Sequence, residues 1–451
     1  MAAPFRPPTL GQQTLQWRRW LGSASSALGI VQPSPGNRVF SPQRLRWFSF
    51  GLLLIGILLT TGCSLPQVSA ESRLFLNPSL TYLAQYPLPS LSLTGNAQES
   101  STPPNITALD YSRSRDRLYA LTNDRLKVYT LTLAAPPPAA QSTNSLPDYP
   151  LGIESITSLQ DAASPPSMAA TGLAVTPRNT LFIVGEQVGE QVSESNRAAP
   201  RLSEFDLTAG DWQQTLPLPQ QYGPSPEPSQ PWGIQPHQGL KAIALDANGD
   251  RLFIATEAPL QQDIAPPDLA YSSPRYSRLL HYWIGEPEPL LISEHLYPLD
   301  ASNPDASKPD APNPDAPNPE FLDSRLLDIA LLDNAGHFLG LEQTYSPAKG
   351  YSTIIYEFVT GVATDTSQIR KLPPNPTGIA PILKKALLRL EDLPVSLGSI
   401  NSMTLGPYLA NGDRSVILTS QREIEKTTPA SPAPATQPAQ LILLRLAQND
   451  G

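Results

Sequence analysis

One short pattern recurs five times between residues 106 and 421: a small, apolar strand, a polar turn, and a second strand that closes on a carboxylate or an amide. The copies are Ile106-Thr-Ala-Leu-Asp-Tyr with Leu118-Tyr-Ala-Leu-Thr-Asn-Asp124, Gly172-Leu-Ala-Val with Leu181-Phe-Ile-Val-Gly-Glu186, and Ala242-Ile-Ala-Leu with Leu252-Phe-Ile-Ala-Thr-Glu257. Asp328-Ile-Ala-Leu-Leu with Phe338-Leu-Gly-Leu-Glu342 and Ser402-Met-Thr-Leu with Val416-Ile-Leu-Thr-Ser-Gln421 complete the set. A unit with one apolar face buries it only against its neighbours. A strand-only unit recurring every ~60 to 85 residues therefore points to an all-β closed ring of sheets, a β-propeller, and not to a helical solenoid.

Within each repeat there is room for about four strands, as a propeller blade requires. Arg117-Leu-Tyr-Ala-Leu, Lys127-Val-Tyr-Thr-Leu-Thr-Leu, Tyr351-Ser-Thr-Ile-Ile-Tyr-Glu-Phe-Val and Gln440-Leu-Ile-Leu-Leu-Arg-Leu alternate or are rich in β-formers. The turn between the first two strands carries Asn, Gly or Asp, as in Asp246-Ala-Asn-Gly-Asp250, Asp333-Asn-Ala-Gly336 and Asn411-Gly-Asp413, which favours tight hairpins. Only Ile382-Leu-Lys-Lys-Ala-Leu-Leu-Arg-Leu390 has helical character; read as a strand, it helps build a further blade that lacks the clear pattern. The expectation is five to seven blades, with six favoured. Leu80-Thr-Tyr-Leu-Ala-Gln-Tyr-Pro-Leu is placed to pair with the C-terminal strand and close the ring.

The chain start reads as an export signal. Residues 1–47 are basic and free of acids, and residues 47–59 form an apolar run too short for a comfortable membrane span. The run closes on Leu59-Thr-Thr-Gly-Cys63, which resembles a bacterial lipoprotein signal with Cys63 as the lipidated first residue. Cleavage after Val68-Ser-Ala70 and an uncleaved N-terminal anchor are the other two readings. Residues 1–63 are thus a signal with a basic leading region, 64–99 a tether with the ring-closing strand, and 100–450 the propeller. The expected location is the cell envelope, attached to a membrane by lipid or by the apolar segment. Ser64 after Cys63 favours the outer membrane over the inner, within the periplasmic side of a two-membrane envelope.

Cys63 is the only cysteine, so the exported domain has no disulfide, thiolate nucleophile or cysteine zinc site to draw on. All 40 acidic residues fall after the signal, within a net charge of -9. That balance argues against nucleic acid and suits cations or ligands delivered by a cation. The 52 prolines cluster between strands as stiff, solvated insertions, because proline cannot donate to a sheet ladder. Residues 300–320 hold a five-residue Asp/Asn/Pro repeat with no apolar residue large enough to pack, which reads as a disordered loop.

Three segments carry a family resemblance: Gly239-Leu-Lys-Ala-Ile-Ala with Leu252-Phe-Ile-Ala-Thr-Glu257-Ala-Pro-Leu-Gln-Gln-Asp263, Arg325-Leu-Leu-Asp-Ile-Ala-Leu-Leu-Asp with Phe338-Leu-Gly-Leu-Glu342, and Met403-Thr-Leu-Gly-Pro. In order and spacing, roughly from residue 100 to 450, the chain resembles the phytase-like domain family, often described as having esterase-like activity of phytase. The resemblance implies an exported β-propeller with phosphoester or ester hydrolase activity. It also implies recurring Glu-Gly pairs at the start of several innermost strands. Here those pairs read Thr171-Gly172, Lys241-Ala242 and Asn401-Ser402, so three glutamates are missing and one is replaced by a cation.

The remaining acids make the opposing case. In a pseudo-symmetric ring, Asp124, Glu186, Glu257, Glu342 and Gln421 end their second strands on one face. Carboxylates gathered there would suit Ca²⁺, which could steady phosphate oxygens or a water nucleophile. Arg125, Lys241, Arg278 and Arg325 are the candidate phosphate-binding cations, with Arg278 and Arg325 foremost. Equally, strand-end acids can simply accept turn N–H groups. There is no Gly-x-Ser-x-Gly elbow, Gly-rich phosphate loop or His-Glu-x-x-His helix, and His237, His281, His295 and His337 are scattered as packing or loop residues. Two classes stay open: a metal-assisted phosphoester hydrolase at the cell envelope, and a non-catalytic binding or scaffold propeller.

Overall fold

The computed structural model describes residues 71–88, 105–122, 126–133, 151–160, 168–187, 199–225, 227, 230–266, 269, 273–285, 288–300, 323–346, 350–421 and 440–448. All of them belong to one compact unit, Ser69–Gly451. The signal with Cys63, residues 301–320 of the repeat tract, and Asp124 with Arg125 lie outside the described residues.

Among the described residues, twenty strands form five four-stranded antiparallel sheets. After β1 (Ser79–Pro87), the first sheet comprises β2 (Ile106–Ser112), β3 (Arg117–Thr122), β4 (Lys127–Leu133) and β5 (Leu151–Ser158). The second is β6 (Met168–Val175), β7 (Thr180–Gln187), β8 (Pro200–Asp206) and β9 (Trp212–Thr215). The third is β10 (Leu240–Leu245), β11 (Arg251–Thr256), β12 (Arg275–Trp283) and β13 (Leu290–Leu299). The fourth is β14 (Asp323–Leu331), β15 (His337–Ser346), β16 (Gly350–Val359) and β17 (Leu383–Arg389). The fifth takes β18 (Ser399–Tyr408), β19 (Arg414–Gln421) and β20 (Gln440–Ala447), with β1 added outside β20.

The first strands of the blades contact one another in a closed circuit, β2 to β6 to β10 to β14 to β18 and back to β2. The protein is a five-bladed β-propeller. Ser79 pairs with Ala447 and Pro87 with Gln440, so the N-terminal strand completes the last blade and ties the two ends of the unit together. Among the described residues no helix is long and apolar enough to cross a membrane.

Five blades replace the favoured six for a local reason. Residues 383–389 are not part of an extra blade; they are β17, the outer strand of the fourth. A bulge lies opposite Ile355 and Tyr356, which pair with Leu388 and Ala386, so Leu387 is the unpaired extra residue. One inserted residue breaks the two-residue alternation and imitates helical spacing.

Each boundary between blades has its own apolar core, as a sheet with two faces in a ring demands. Phe182, Tyr222, Ile254 and Leu280 fill the second-to-third boundary, Phe253, Phe338 and Phe358 the next, and Leu339, Ile355, Leu418 and Ile442 the fourth-to-fifth. Tyr119, Leu181 and Phe205 join the first blade to the second, and Tyr86, Leu118, Ile417 and Leu443 close the circuit. In the third-to-fourth core, Phe338 stacks on Phe358 at 4.8 Å and meets Phe253 edge-on at 4.9 Å.

The first hairpin of every blade turns through a residue with positive φ: Asp116 (55°), Asn179 (67°), Gly249 (73°), Gly336 (93°) and Gly412 (87°). Those are the residue types that tolerate the left-handed region. These turns define one end of the ring, the hairpin end. The innermost strands begin, and the second strands finish, at the other, the strand end.

Candidate functional site

Every innermost strand carries a register shift near its start, and the residues at the shifts are Thr107, Thr171, Lys241, Leu327 and the pair Asn401-Ser402. Bulges bend a strand and re-aim its side chains. Inside this layer the strands present small or short residues, Ala108, Gly172, Ala242, Asp328 and Ser402, which lets five strands approach closely. Gly172 is a close approach: a Cβ there would sit 2.2 Å from the Lys241 carbonyl oxygen.

The strand end gathers part of the expected carboxylate set. Glu186 near the end of β7 is buried and accepts the backbone N–H groups of His237 and Gly239. Burial raises its pKa, and the neighbouring charge of Glu257 adds to the rise. Glu257, directly after β11, is 8% exposed; burial pushes its pKa up against the pull of Lys241 and Arg325. Arg325 Nη1 lies 3.5 Å from Glu257 Oε1, while its Nε donates to Asp323 at 2.7 Å and its outer face is open to solvent. Glu186, Glu257, Lys241 and Arg325 thus form one cluster around the starts of β10 and β14. Beside it a cavity of about 150 Å³ is lined by Gln235, Gln238, Arg275 and Asp323.

Glu342 shares this end of the ring but turns to different partners. It accepts hydrogen bonds from Lys384 Nζ at 2.5 Å, the Asp300 N–H at 2.6 Å and the Tyr297 hydroxyl at 3.1 Å. Burial raises its pKa and Lys384 opposes the rise. Gln421 donates its amide to the Ile106 carbonyl and so closes the first-to-fifth boundary.

The described acids do not fit a calcium ion as a shared ligand set. Glu342 is neutralised by Lys384, Glu257 stands against Arg325 and Lys241, and Glu186 is held by two N–H donors. Among the described residues no group of three or more His, Cys, Asp or Glu side chains is arranged to hold a metal. Calcium needs six or more oxygens facing one point, and these oxygens already face protein donors.

Arg278 stands apart from this cluster. It is fully buried on β12, with Nε 2.8 Å from Asp263, Nη1 2.6 Å from Glu294 and 2.7 Å from the Ile369 carbonyl. Burial alone would depress its pKa, but Glu294 and Asp263 more than offset that, so it is held charged inside the protein. A phosphate could reach it only by displacing its own carboxylates. The histidines are packing and turn residues: His281 stacks on Phe253 at 4.4 Å, and burial lowers its pKa to about 4, while His337 bridges Asp333 and the Leu74 carbonyl.

Two buried acids were not singled out from the sequence. Asp328 on β14 accepts the Ser402 hydroxyl at 2.7 Å and the Met403 N–H at 2.9 Å across the blade boundary. Burial raises its pKa to about 7, with Lys241 among the groups that hold it back. Asp110 on β2 accepts the Val175 N–H at 2.6 Å, and burial raises its pKa to about 6. Both sit in innermost strands, where a single acid looks like an ordinary polar position.

The sequence profile described as "Phytase-like: Esterase-like activity of phytase" matches residues 104–420, from the start of the first innermost strand to the end of β19, the second strand of the fifth blade. The chain belongs to the phytase-like family. No curated protein matches its sequence. Similar solved structures include a glycoside hydrolase of the GH130 family of mannoside phosphorylases, which targets β-1,2-mannosidic linkages in Candida mannan (9% identity, 80% of this chain, 94% of that chain, TM-score 0.36). A luciferin-regenerating enzyme matches at 9% identity over 83% of this chain and 98% of its own, with a TM-score of 0.34. The hydrazine synthase of Kuenenia stuttgartiensis matches at 10% identity over 76% and 83%, with a TM-score of 0.33.

The three positions at which the phytase-like resemblance implies glutamates, Thr171, Lys241 and Asn401, fall on the bulges of β6, β10 and β18. Thr171 Oγ1 lies 2.6 Å from the Leu240 carbonyl and stitches β6 to the next blade. Lys241 brings a positive charge between Glu257 and Asp328. In this phytase-like chain, then, the strand-end mouth is a mixed cluster of cations and of acids whose pKa values burial raises.

Proposed function

We propose that this protein is an exported hydrolase of phosphoesters, acting at the strand-end mouth of its propeller. The observation that carries the reading is Glu257, a buried carboxyl with a raised pKa set between Arg325 and Lys241. Lys241 and Arg325 would hold the phosphoryl oxygens, because fixed cations at a shielded site stabilise charge on a transferring phosphoryl group. Glu257, its pKa raised by burial, would serve as the acid that protonates the departing alkoxide as the phosphorus–oxygen ester bond breaks. Glu186 would take the proton of the attacking water, and the products are an alcohol and inorganic phosphate. The basic, acid-free leader with Cys63 supports a cell-envelope location and attachment to a membrane.

A second reading, a binding propeller without turnover, is favoured by the lysine and threonine at bulges where the family resemblance implies glutamate. Phosphate release from phytate and from simple monoesters, with calcium and with chelator, separates the two. The reading expects release that Glu257→Gln lowers by roughly 100-fold or more while binding persists. A folded protein that releases no phosphate from any ester leaves the binding reading in place.

A further inference from the structure

A cavity lies at the opposite end of the ring from Glu186, Glu257 and Glu342. About 350 Å³ is enclosed where the innermost strands reach the hairpin end, with lining residues from all five blades. That is at the lower end of the volume range of small-molecule sites, about 300–1,000 Å³. Its rim carries two arginines on adjacent blades, Arg113 after β2 and Arg414 at the start of β19. Arg113 Nη1 lies 3.3 Å from the Tyr408 hydroxyl, and the guanidinium carbons of Arg113 and Arg414 stand 5.2 and 5.8 Å from the centre of the same Tyr408 ring.

Among the described residues neither arginine makes an ion pair. Arg414 donates from Nη1 to the Leu332 carbonyl at 3.0 Å, and its buried Nε has no acceptor. Burial and the like charge of Arg113 lower the Arg414 pKa to about 10, which is the mark of a cation short of an anion. The acids that also line the cavity do not supply one. Asp246 spends its carboxylate on the N–H groups of Asp250 and Arg251, Asp333 on those of Ala335 and His337, and Asp110 on Val175 and Thr404. Guanidinium groups without an ion pair, one exposed and one half-buried, that converge on one cavity mouth are the usual donors to a phosphate, which they meet with charge-assisted, often bidentate, hydrogen bonds.

We infer that the hairpin-end cavity binds a small anionic ligand, a phosphomonoester whose phosphate bridges Arg113 and Arg414. The inference goes beyond the strand-end hydrolase and does not depend on it, since the two sites share no residue. The test is calorimetric titration of the full chain with glycerol 3-phosphate and, in parallel, with inorganic phosphate. Saturable binding is expected for the wild type, weakened roughly tenfold or more by Arg414→Gln and by Arg113→Gln. Lys385→Gln, on the exposed outer strand of the fourth blade and outside both sites, leaves the affinity unchanged. If Arg414→Gln does not fold, Arg113→Gln, on an exposed side chain, carries the comparison alone. No saturable binding by the wild type, or an affinity that Arg113→Gln does not change, overturns the inference.

Discussion

Asp328 and Ser402 join two blades by a single short contact: the Ser402 hydroxyl donates to Asp328 Oδ2 at 2.7 Å, and the same hydroxyl accepts the Leu109 N–H at 2.8 Å. One side chain therefore links β14, β18 and β2. Thr404 repeats the device one layer further along, accepting the Tyr111 N–H at 3.2 Å and donating to Asp110 at 3.3 Å. The first strands of neighbouring blades do not form a continuous ladder, so these side chains stand in for the missing backbone bonds and satisfy buried N–H groups.

The carboxyls in this seam make stability depend on pH. Asp328 and Asp110 have folded pKa values raised to about 7 and about 6 from 3.8, so the folded state holds protons that the unfolded chain releases. Their contribution is full below about pH 4 and is lost as pH rises to about 7, where it levels off. For Asp328 alone the upper bound is on the order of 4 kcal/mol, at about 1.4 kcal/mol per unit. Thermal melts between pH 5 and 8 should show the midpoint falling with rising pH. Asp328→Asn should flatten that slope, and an unchanged slope in the variant would sink the assignment.

The repeats were legible because each blade spends residues on the same local problem. Gly249, Gly336 and Gly412 fall in the three turns that residue type marked, and Asp116 and Asn179 turn the other two hairpins through the same positive φ. Rotational equivalence also placed Glu186, Glu257 and Glu342 at one end of the ring. What they face was not legible, because Lys384, Tyr297 and the Asp300 N–H reach Glu342 from segments outside the repeated pattern. The surroundings of Arg278 were not legible for a related cause: the non-repeating segment carrying Thr366 and Ile369 covers it and Glu294. A sixth blade was expected because one unpaired residue, Leu387, disguises the outer strand of the fourth.

Gly172 is a packing requirement at the boundary of the second and third blades. A Cβ there would lie 2.2 Å from the Lys241 carbonyl oxygen and 2.6 Å from Val184 Cγ2, and backbone cannot swing aside as a side-chain tip can. Gly172→Ala should push β10 away from β6, weaken the Thr171 contact to Leu240, and cost about 1–3 kcal/mol in denaturant unfolding. Gly361→Ala, with nothing within 4 Å of the new Cβ, is the control and should stay within about 0.5 kcal/mol of wild type. Equal effects in the two variants would remove the close-approach argument.

Arg278 and Arg325 separate structure from chemistry. Arg278 is enclosed with Glu294, which burial pushes toward the neutral form and Arg278 pulls back, and Glu294 also accepts the Tyr222 hydroxyl at 2.7 Å and the Thr366 hydroxyl at 3.0 Å. Removing the cation leaves two enclosed carboxyls, Glu294 and Asp263, without their counter-charge. Breaking a buried pair from one side costs about 3–5 kcal/mol, so Arg278→Ala should lower the denaturation midpoint strongly. Arg325 keeps 36% of its side chain exposed, and its pairing with Asp323 and Glu257 is screened by solvent. Arg325→Ala should therefore cost about 1 kcal/mol or less in stability, while raising the KM for any phosphoester the protein turns over. Urea unfolding of the two variants side by side decides the matter: a stable Arg278→Ala protein with a selective loss of phosphate affinity would return Arg278 to the site and contradict its place in the core.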